Sequence, residues 1–254
     1  GLTDPGFPQV HSLESAMASP STSSLSAFFR SIGLLSSRQP LRSLTIFFLL
    51  WKAFLLLTIV ACPGPGYDTS TTLLPGHASD ISNVALGARD PGPLSFPLRL
   101  VRWDSIYFVH IVNNGYVFEQ EWAFGYPRVL RFLASSAYPV FKSHSRTCLL
   151  MAAVFPPFEG LGEAGIIALA GVLFSHIAHY LSVLVLYRLS INVFGHQTAT
   201  RRLLSYLSAA LHIISPAGAF LSAPYGESLF SFFNFSGFYI YSSSIYDDQA
   251  GKRS

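Results

Sequence analysis

An all-α, polytopic membrane protein is the fold this sequence predicts, and three observations predict it. Half of its 254 residues are hydrophobic and only 11% are charged, against about a quarter in an ordinary soluble domain. The apolar residues gather into runs, several of them near the roughly 20 residues that span hydrocarbon. Short clusters of Lys and Arg fall in alternate connections between the runs, as the bias toward cytosolic positive charge requires. The formal net charge is only +3 and forms no stripe, so nucleic acid is excluded as a partner. Cys62 and Cys148 are too few for a disulfide framework or a cysteine metal site.

Residues 1–40 are rich in Ser and Pro and read as a flexible cytosolic leader. The chain opens on Gly1 and its first methionine is Met17, so residues 1–16 are expected to lie outside the native protein. Residues 44–62 form the first span, interrupted by Lys52. An ionisable residue inside a span is a functional candidate, or it snorkels or pairs within the bundle. Residues 63–98 are a loop, broken by Pro63-Gly64-Pro65-Gly66 and Pro91-Gly92-Pro93. A short helix is predicted over 104–113, with Trp103, Tyr107 and Ile111 on one stripe and Asn114-Gly115 as its stop. It is too short to span and belongs at the interface, where Trp and Tyr are favoured.

Further apolar segments cover 123–141, 147–158, 165–187, 203–223 and 229–241. The 12 residues of 147–158 suit a re-entrant or tilted piece. The basic clusters are Arg30, Arg38 and Arg42, then Lys142 with Arg146, Arg188 with Arg201 and Arg202, and Lys252 with Arg253. Placing them in the cytosol puts loop 63–122 and the turn at Ser222-Ala223-Pro224-Tyr225 on the lumenal side. The membrane region is thus expected over 41–246, with 247–254 as a charged tail.

Three polar clusters carry the candidate chemistry. In Arg102-Trp103-Asp104, Asp104 stands at the head of the interfacial helix. It can serve as a general base that takes a proton from an attacking hydroxyl, or as an N-cap that accepts backbone N–H bonds. Glu119, Glu121 and Trp122 form a second group that can hold a polar head group or stay solvated. Arg102 and Arg128 can grip a phosphate or anchor to lipid. In the third, Pro216 and Pro224 break a helix and return Tyr225 and Glu227 toward the face that holds Asp104. Glu227 also suits the first turn of the next helix. His176 and His179 have metal-like spacing with no acid or Cys in the same span, so no metal site is expected. The sequon Asn234-Phe235-Ser236 lies in an apolar run and is not expected to be used.

Taken in order, Arg102-Trp103-Asp104, Asn114-Gly115-Tyr116, Phe118-Glu119-Gln120-Glu121-Trp122-Ala123-Phe124, Ser215-Pro216-Ala217 and Ser222-Ala223-Pro224-Tyr225-Gly226-Glu227-Ser228-Leu229-Phe230 resemble the GPI mannosyltransferase 2 family, in its fungal form. The resemblance covers residues from about 40 to 242. It implies a GT-C type glycosyltransferase of the endoplasmic reticulum membrane, multi-pass, with a large first lumenal loop. It implies an inverting α-1,6 transfer of the second mannose from dolichol-phosphate-mannose to the GPI precursor lipid. Asp104 would be the catalytic base, with Arg102, Trp103, Glu119, Glu121, Trp122, Tyr225 and Glu227 binding substrate. No cofactor is implied, and a small membrane subunit is an expected partner.

Family members are considerably longer and carry a longer Gly/Pro/Phe stretch after the position of Gly125. The chain is therefore expected to be truncated and poorly active alone. Two alternatives are a polytopic transporter, with Lys52, His176 and His179 along its path, and a non-catalytic fragment or subunit. A transporter would more often show paired repeats, and no internal repeat is visible.

Overall fold

The computed structural model describes residues 39–62, 96–117, 119, 125–142 and 163–251. The leader, most of the first loop, the segment 147–158, Glu121 and Trp122 lie outside the described residues. Six α-helices and one 3-10 turn are described: α1 (Pro40–Ala61), the 3-10 turn (Phe96–Leu100), α2 (Asp104–Asn114), α3 (Tyr126–Lys142), α4 (Glu163–Phe194), α5 (Ala199–Ile213) and α6 (Glu227–Gly251). No strand occurs among the described residues, so the all-helical expectation holds there.

α1 begins with a proline, whose missing N–H costs nothing in a first turn. It buries one stripe, Leu44, Phe48 and Lys52, at the four-residue spacing that shares a helix face. The rest of its surface is apolar and open: Leu49, Leu50, Phe54 and Leu57 are all more than half exposed. A helix apolar all round with one face packed is what lipid requires. α1 and the stretch Ala164–Phe194 of α4 are the two described helices long and apolar enough to cross a membrane.

α4 is the hub, packing against α1, α2, α3, α5, α6 and the 3-10 turn. Its buried small residues Gly171, Ser175, Ala178 and Ser182 recur every three or four positions. Such a stripe lets neighbouring backbones come close where lipid supplies no hydrophobic drive. One core joins α2, α3, α4 and the 214–226 segment through Val101, Phe108, Val109, Leu130, Ala168 and Tyr225. A second joins α1, α4 and α5 through Leu44, Phe48, Val183, Tyr206 and Ile213.

Two element boundaries differ from the sequence expectation. The apolar run 203–223 was expected to be one span, but α5 stops at Ile213. Pro216 cannot donate a backbone bond, and residues 214–226 fold instead into consecutive turns. At 15 residues, α5 rises roughly 22 Å, short of the hydrocarbon thickness of about 30 Å. α6, in contrast, runs past 246 to Gly251, through Asp247 and Asp248. The stripe Trp103, Tyr107 and Ile111 on α2 also divides: Trp103 and Tyr107 are exposed while Ile111 is buried. The apolar face of α2 is carried by Ile106, Phe108, Val109 and Val112.

Chemistry separates along α1. Arg42 and Arg188 line one shallow cleft with Tyr187 and Tyr239, at the N-terminal end of α1. Toward its other end, Arg99 Nη1 donates to Val60 O at 3.0 Å, satisfying a carbonyl that the helix leaves open. Some 30 Å separates these ends for a 22-residue helix.

Candidate functional site

The site is built where α2 meets the 214–226 turn. Trp103 stands before α2 with φ +45°, the one described non-glycine residue with positive φ. Such backbone costs on the order of 1–3 kcal/mol and persists only where its surroundings hold it. Three residues do so here. Ser105 Oγ accepts from Arg102 N at 2.7 Å and donates to Arg102 O at 2.6 Å. Tyr225 OH donates to the same Arg102 carbonyl at 2.6 Å, across 123 positions of sequence. The Trp103 indole lies against Phe220, ring centroids 5.6 Å apart.

Asp104 follows as the first residue of α2 and is exposed. It is not the N-cap, because Trp103 occupies that position and makes no side-chain cap bond. Ser105, one residue further on, makes the local backbone bonds instead. Among the described residues no hydrogen bond or ion pair engages the exposed Asp104 carboxylate.

The returning turn is fixed from below and behind. Tyr225 N donates to Ala223 O at 2.8 Å, closing a tight turn around Pro224, whose ring presets the backbone. Pro224 sits on Gly171 of α4, where an added Cβ would come within 2.5 Å of Pro224 Cβ. Gly226 backs onto Tyr126, and Glu227 opens α6 as an exposed first-turn acid. Lys52, 3% exposed, reaches the turn from α1 and donates to Leu221 O at 3.0 Å and Ser222 Oγ at 2.7 Å. It is therefore paired within this chain, in line with the reading that it pairs inside the bundle.

Of the sequence-derived site residues, Arg102, Trp103, Asp104, Tyr225 and Glu227 fall in this one region. Arg102 Nε donates to Arg99 O at 3.3 Å. Glu119 is exposed, and Arg128 stacks its guanidinium over Tyr116 at 5.1 Å, a cation–π geometry. Glu121 and Trp122 lie outside the described residues. Tyr225 is buried, with its hydroxyl on the Arg102 carbonyl, so its contact is to the loop that carries Asp104. Ser105 and Phe220 were not singled out from sequence. The one available signal was a serine directly after the acid, a type that readily bonds nearby backbone.

His179 is fully buried with both ring nitrogens unpartnered, and its ring lies 4.8 Å from that of His212. His212 Nε2 pairs with Ser182 Oγ at 2.9 Å. Among the described residues no three His, Cys, Asp or Glu side chains gather as a metal site.

The chain matches the family described as Mannosyltransferase (PIG-V) over residues 41–251. It is 55% identical over 222 residues to the GPI mannosyltransferase 2 of Aspergillus oryzae, covering 87% of this chain and 43% of that protein. It is 49% identical over 237 residues to that of Aspergillus fumigatus, covering 92% of this chain and 42% of the relative. The protein of the same name from Schizosaccharomyces pombe is 33% identical over 143 residues, 56% of this chain and 25% of its own length. The chain thus spans about two-fifths of the length of the Aspergillus relatives. No solved structure matches it. With the family's pattern running over residues 41–251, the chain belongs to the PIG-V family of mannosyltransferases.

Proposed function

We propose that this chain carries the catalytic-base region of an enzyme that transfers mannose from dolichol-phosphate-mannose to the GPI precursor. The product is the second mannose, in α-1,6 linkage, made on the lumenal side of the endoplasmic reticulum. The observation that carries the reading is the exposed, unpartnered Asp104 at the head of α2, presented by a strained Trp103 and pinned by Tyr225. Enzymes hold reacting groups this way, since a carboxylate fixed at the right place accepts a proton only as the new bond forms.

In the step proposed, the 6-hydroxyl of the first mannose attacks the anomeric carbon of the donor from the face opposite the phosphate. The new C–O bond forms as the bond from that carbon to the phosphate oxygen breaks, its electron pair leaving with dolichyl phosphate. The hydroxyl proton passes to Asp104. Attack from the opposite face turns the β-linked donor into an α-linked product. The Trp103 indole, half-exposed, offers a flat face to a sugar ring, and Arg102, Glu119 and Glu227 are proposed to line the approach. Glu121 and Trp122 are proposed to complete it.

The proposed fold is the polytopic GT-C type, spanning 41–246, with loop 63–122 in the lumen, the leader 1–40 in the cytosol and the charged tail 247–254 continuing α6 as far as Gly251. The gathering of Arg42 and Arg188 in one cleft at the N-terminal end of α1 supports that orientation. A small membrane subunit is a proposed partner.

The test is Asp104→Asn, which keeps size and polarity but cannot take the proton. It is made in this chain set in place of the matching segment of the Aspergillus oryzae relative, which supplies the remaining length. Mannosyl transfer to a one-mannose GPI precursor is measured in microsomes of cells lacking their own enzyme. Loss of the two-mannose product at unchanged abundance is expected. Wild-type transfer by Asp104→Asn would sink the assignment.

A further inference from the structure

We infer that Lys52 is a positioning residue for Asp104, acting from inside the first span through the 214–226 turn. This rests on the reading of Asp104 as the base.

The argument starts from backbone groups. Pro216 ends the run that would have continued α5, and the carbonyls of the turn lose their helical partners. Within a bilayer such groups are tolerated only where protein satisfies them. Several are satisfied within the turn. Ser215 O accepts from Gly218 N, Ala217 O from Leu221 N, Ala219 O from Ser222 N and Ala223 N, and Gly218 O from Ser222 Oγ. Leu221 O draws its partners from outside the turn. Its helical donor would be Tyr225 N, which bonds Ala223 O instead at 2.8 Å. Lys52 Nζ at 3.0 Å and Ser228 Oγ at 3.1 Å take that place.

Lys52 also holds Ser222 Oγ at 2.7 Å and lies 5.5 Å from the centre of the Phe48 ring. It is 3% exposed, so it neither snorkels to a lipid phosphate nor lines an open path. A polar side chain this costly in a span needs a purpose, and both of its hydrogen-bond partners sit in the one segment that ends on Tyr225. Three residues after Ser222, Tyr225 OH meets the Arg102 carbonyl at 2.6 Å, two residues before Asp104. Phe220, one residue before Leu221, touches Trp103. The turn is thus gripped by Lys52 on one side and grips both residues before Asp104 on the other.

Lys52→Met removes the donors and keeps the length of the side chain; Tyr225→Phe removes only the hydroxyl. Both are made in the completed protein used for Asp104→Asn. A displaced base lowers turnover with little change in substrate binding. Each variant should therefore lose about tenfold or more in kcat, with KM for both lipids within about twofold. The double variant should lose little more than the worse single one, because the two act on one element. A second readout is independent of activity. With Cys62 and Cys148 replaced by Ser, Asp104→Cys is labelled by a membrane-impermeant maleimide, and Lys52→Met should change its rate several-fold.

Turnover and labelling both within twofold of the parent would overturn the inference, as would multiplicative losses in the double variant. If Lys52→Met does not accumulate, Tyr225→Phe and Ser222→Ala decide by the same kcat criterion. If Asp104→Asn stays active while Lys52→Met still shifts the labelling, the base reading falls and the positioning link stands.

Discussion

Gly171→Ala tests whether the seating of the 214–226 turn matters to catalysis. A methyl at Gly171 would lie 2.5 Å from Pro224 Cβ, 3.3 Å from Pro224 Cα and 3.4 Å from Leu130 Cδ1. Carbon atoms pack best at roughly 3.5–4.0 Å, so the turn must retreat from α4 by about 1 Å. Neither side can yield cheaply: Pro224 is a ring on a closed turn, and Leu130 is fully buried. Overpacking of this kind costs typically ~1–3 kcal/mol. The functional cost is larger. Tyr225 OH begins 2.6 Å from Arg102 O, and a retreat of about 1 Å puts it beyond hydrogen-bond range. Misplacing a reacting group by about 1 Å can lower a rate on the order of a hundredfold. The assay is mannosyl transfer in microsomes by the completed protein used for Asp104→Asn, scaled to abundance, with thermal stability of the detergent-extracted protein beside it. Gly237→Ala is the control, since nothing lies within 4 Å of a Cβ there and alanine favours a helix. Wild-type transfer and stability in Gly171→Ala would refute the reasoning, because the close approach of Pro224 would then be unnecessary.

Other outcomes follow from the same geometry. Glycosylation acceptors placed near residue 80 and just after Ser222, the second with a linker, should be modified in microsomes, while one near residue 195 should not; modification of the third alone would invert the orientation. Thr198→Ala removes the side chain that accepts Arg201 N at 3.3 Å at the start of α5, and should cost about 1 kcal/mol of stability with kcat unchanged. Arg99→Ala frees the last carbonyls of α1 and should lower thermal stability slightly, by roughly 0.3–1 kcal/mol, read as a small fall in melting temperature. Trp103→Gly relieves the φ +45° backbone and removes the aromatic face, so it should fold at least as well as the parent yet transfer mannose poorly; retained transfer would remove the indole from the site.

Sequence by itself determined what local chemistry determines. Low charge and long apolar runs give helices in lipid, because a backbone without water must bond to itself. The Asn114-Gly115 stop places the end of α2 to within a residue, because glycine acts on the backbone wherever it stands. The order of the tracts around Asp104 and Tyr225 was enough to point to the family that residues 41–251 match.

Tertiary structure decided the rest. The run 203–223 has no change of hydropathy at Ile213, and only the turn carbonyls and their distant donors show where the helix ends. Whether Asp104 caps α2 cannot be read from its residue type, since caps and bases share it; in the structure Trp103 holds the N-cap position and Ser105 makes the local bonds. Lys52 was one charge in an apolar run until Leu221 and Ser222 came to it from 169 and 170 positions away. Gly171 carried no signal at all, since the need for a missing Cβ arises from Pro224, more than fifty residues later in the chain. Periodicity and turn residues act on near neighbours, whereas the satisfaction of a buried polar group or a close approach depends on whatever the fold brings alongside.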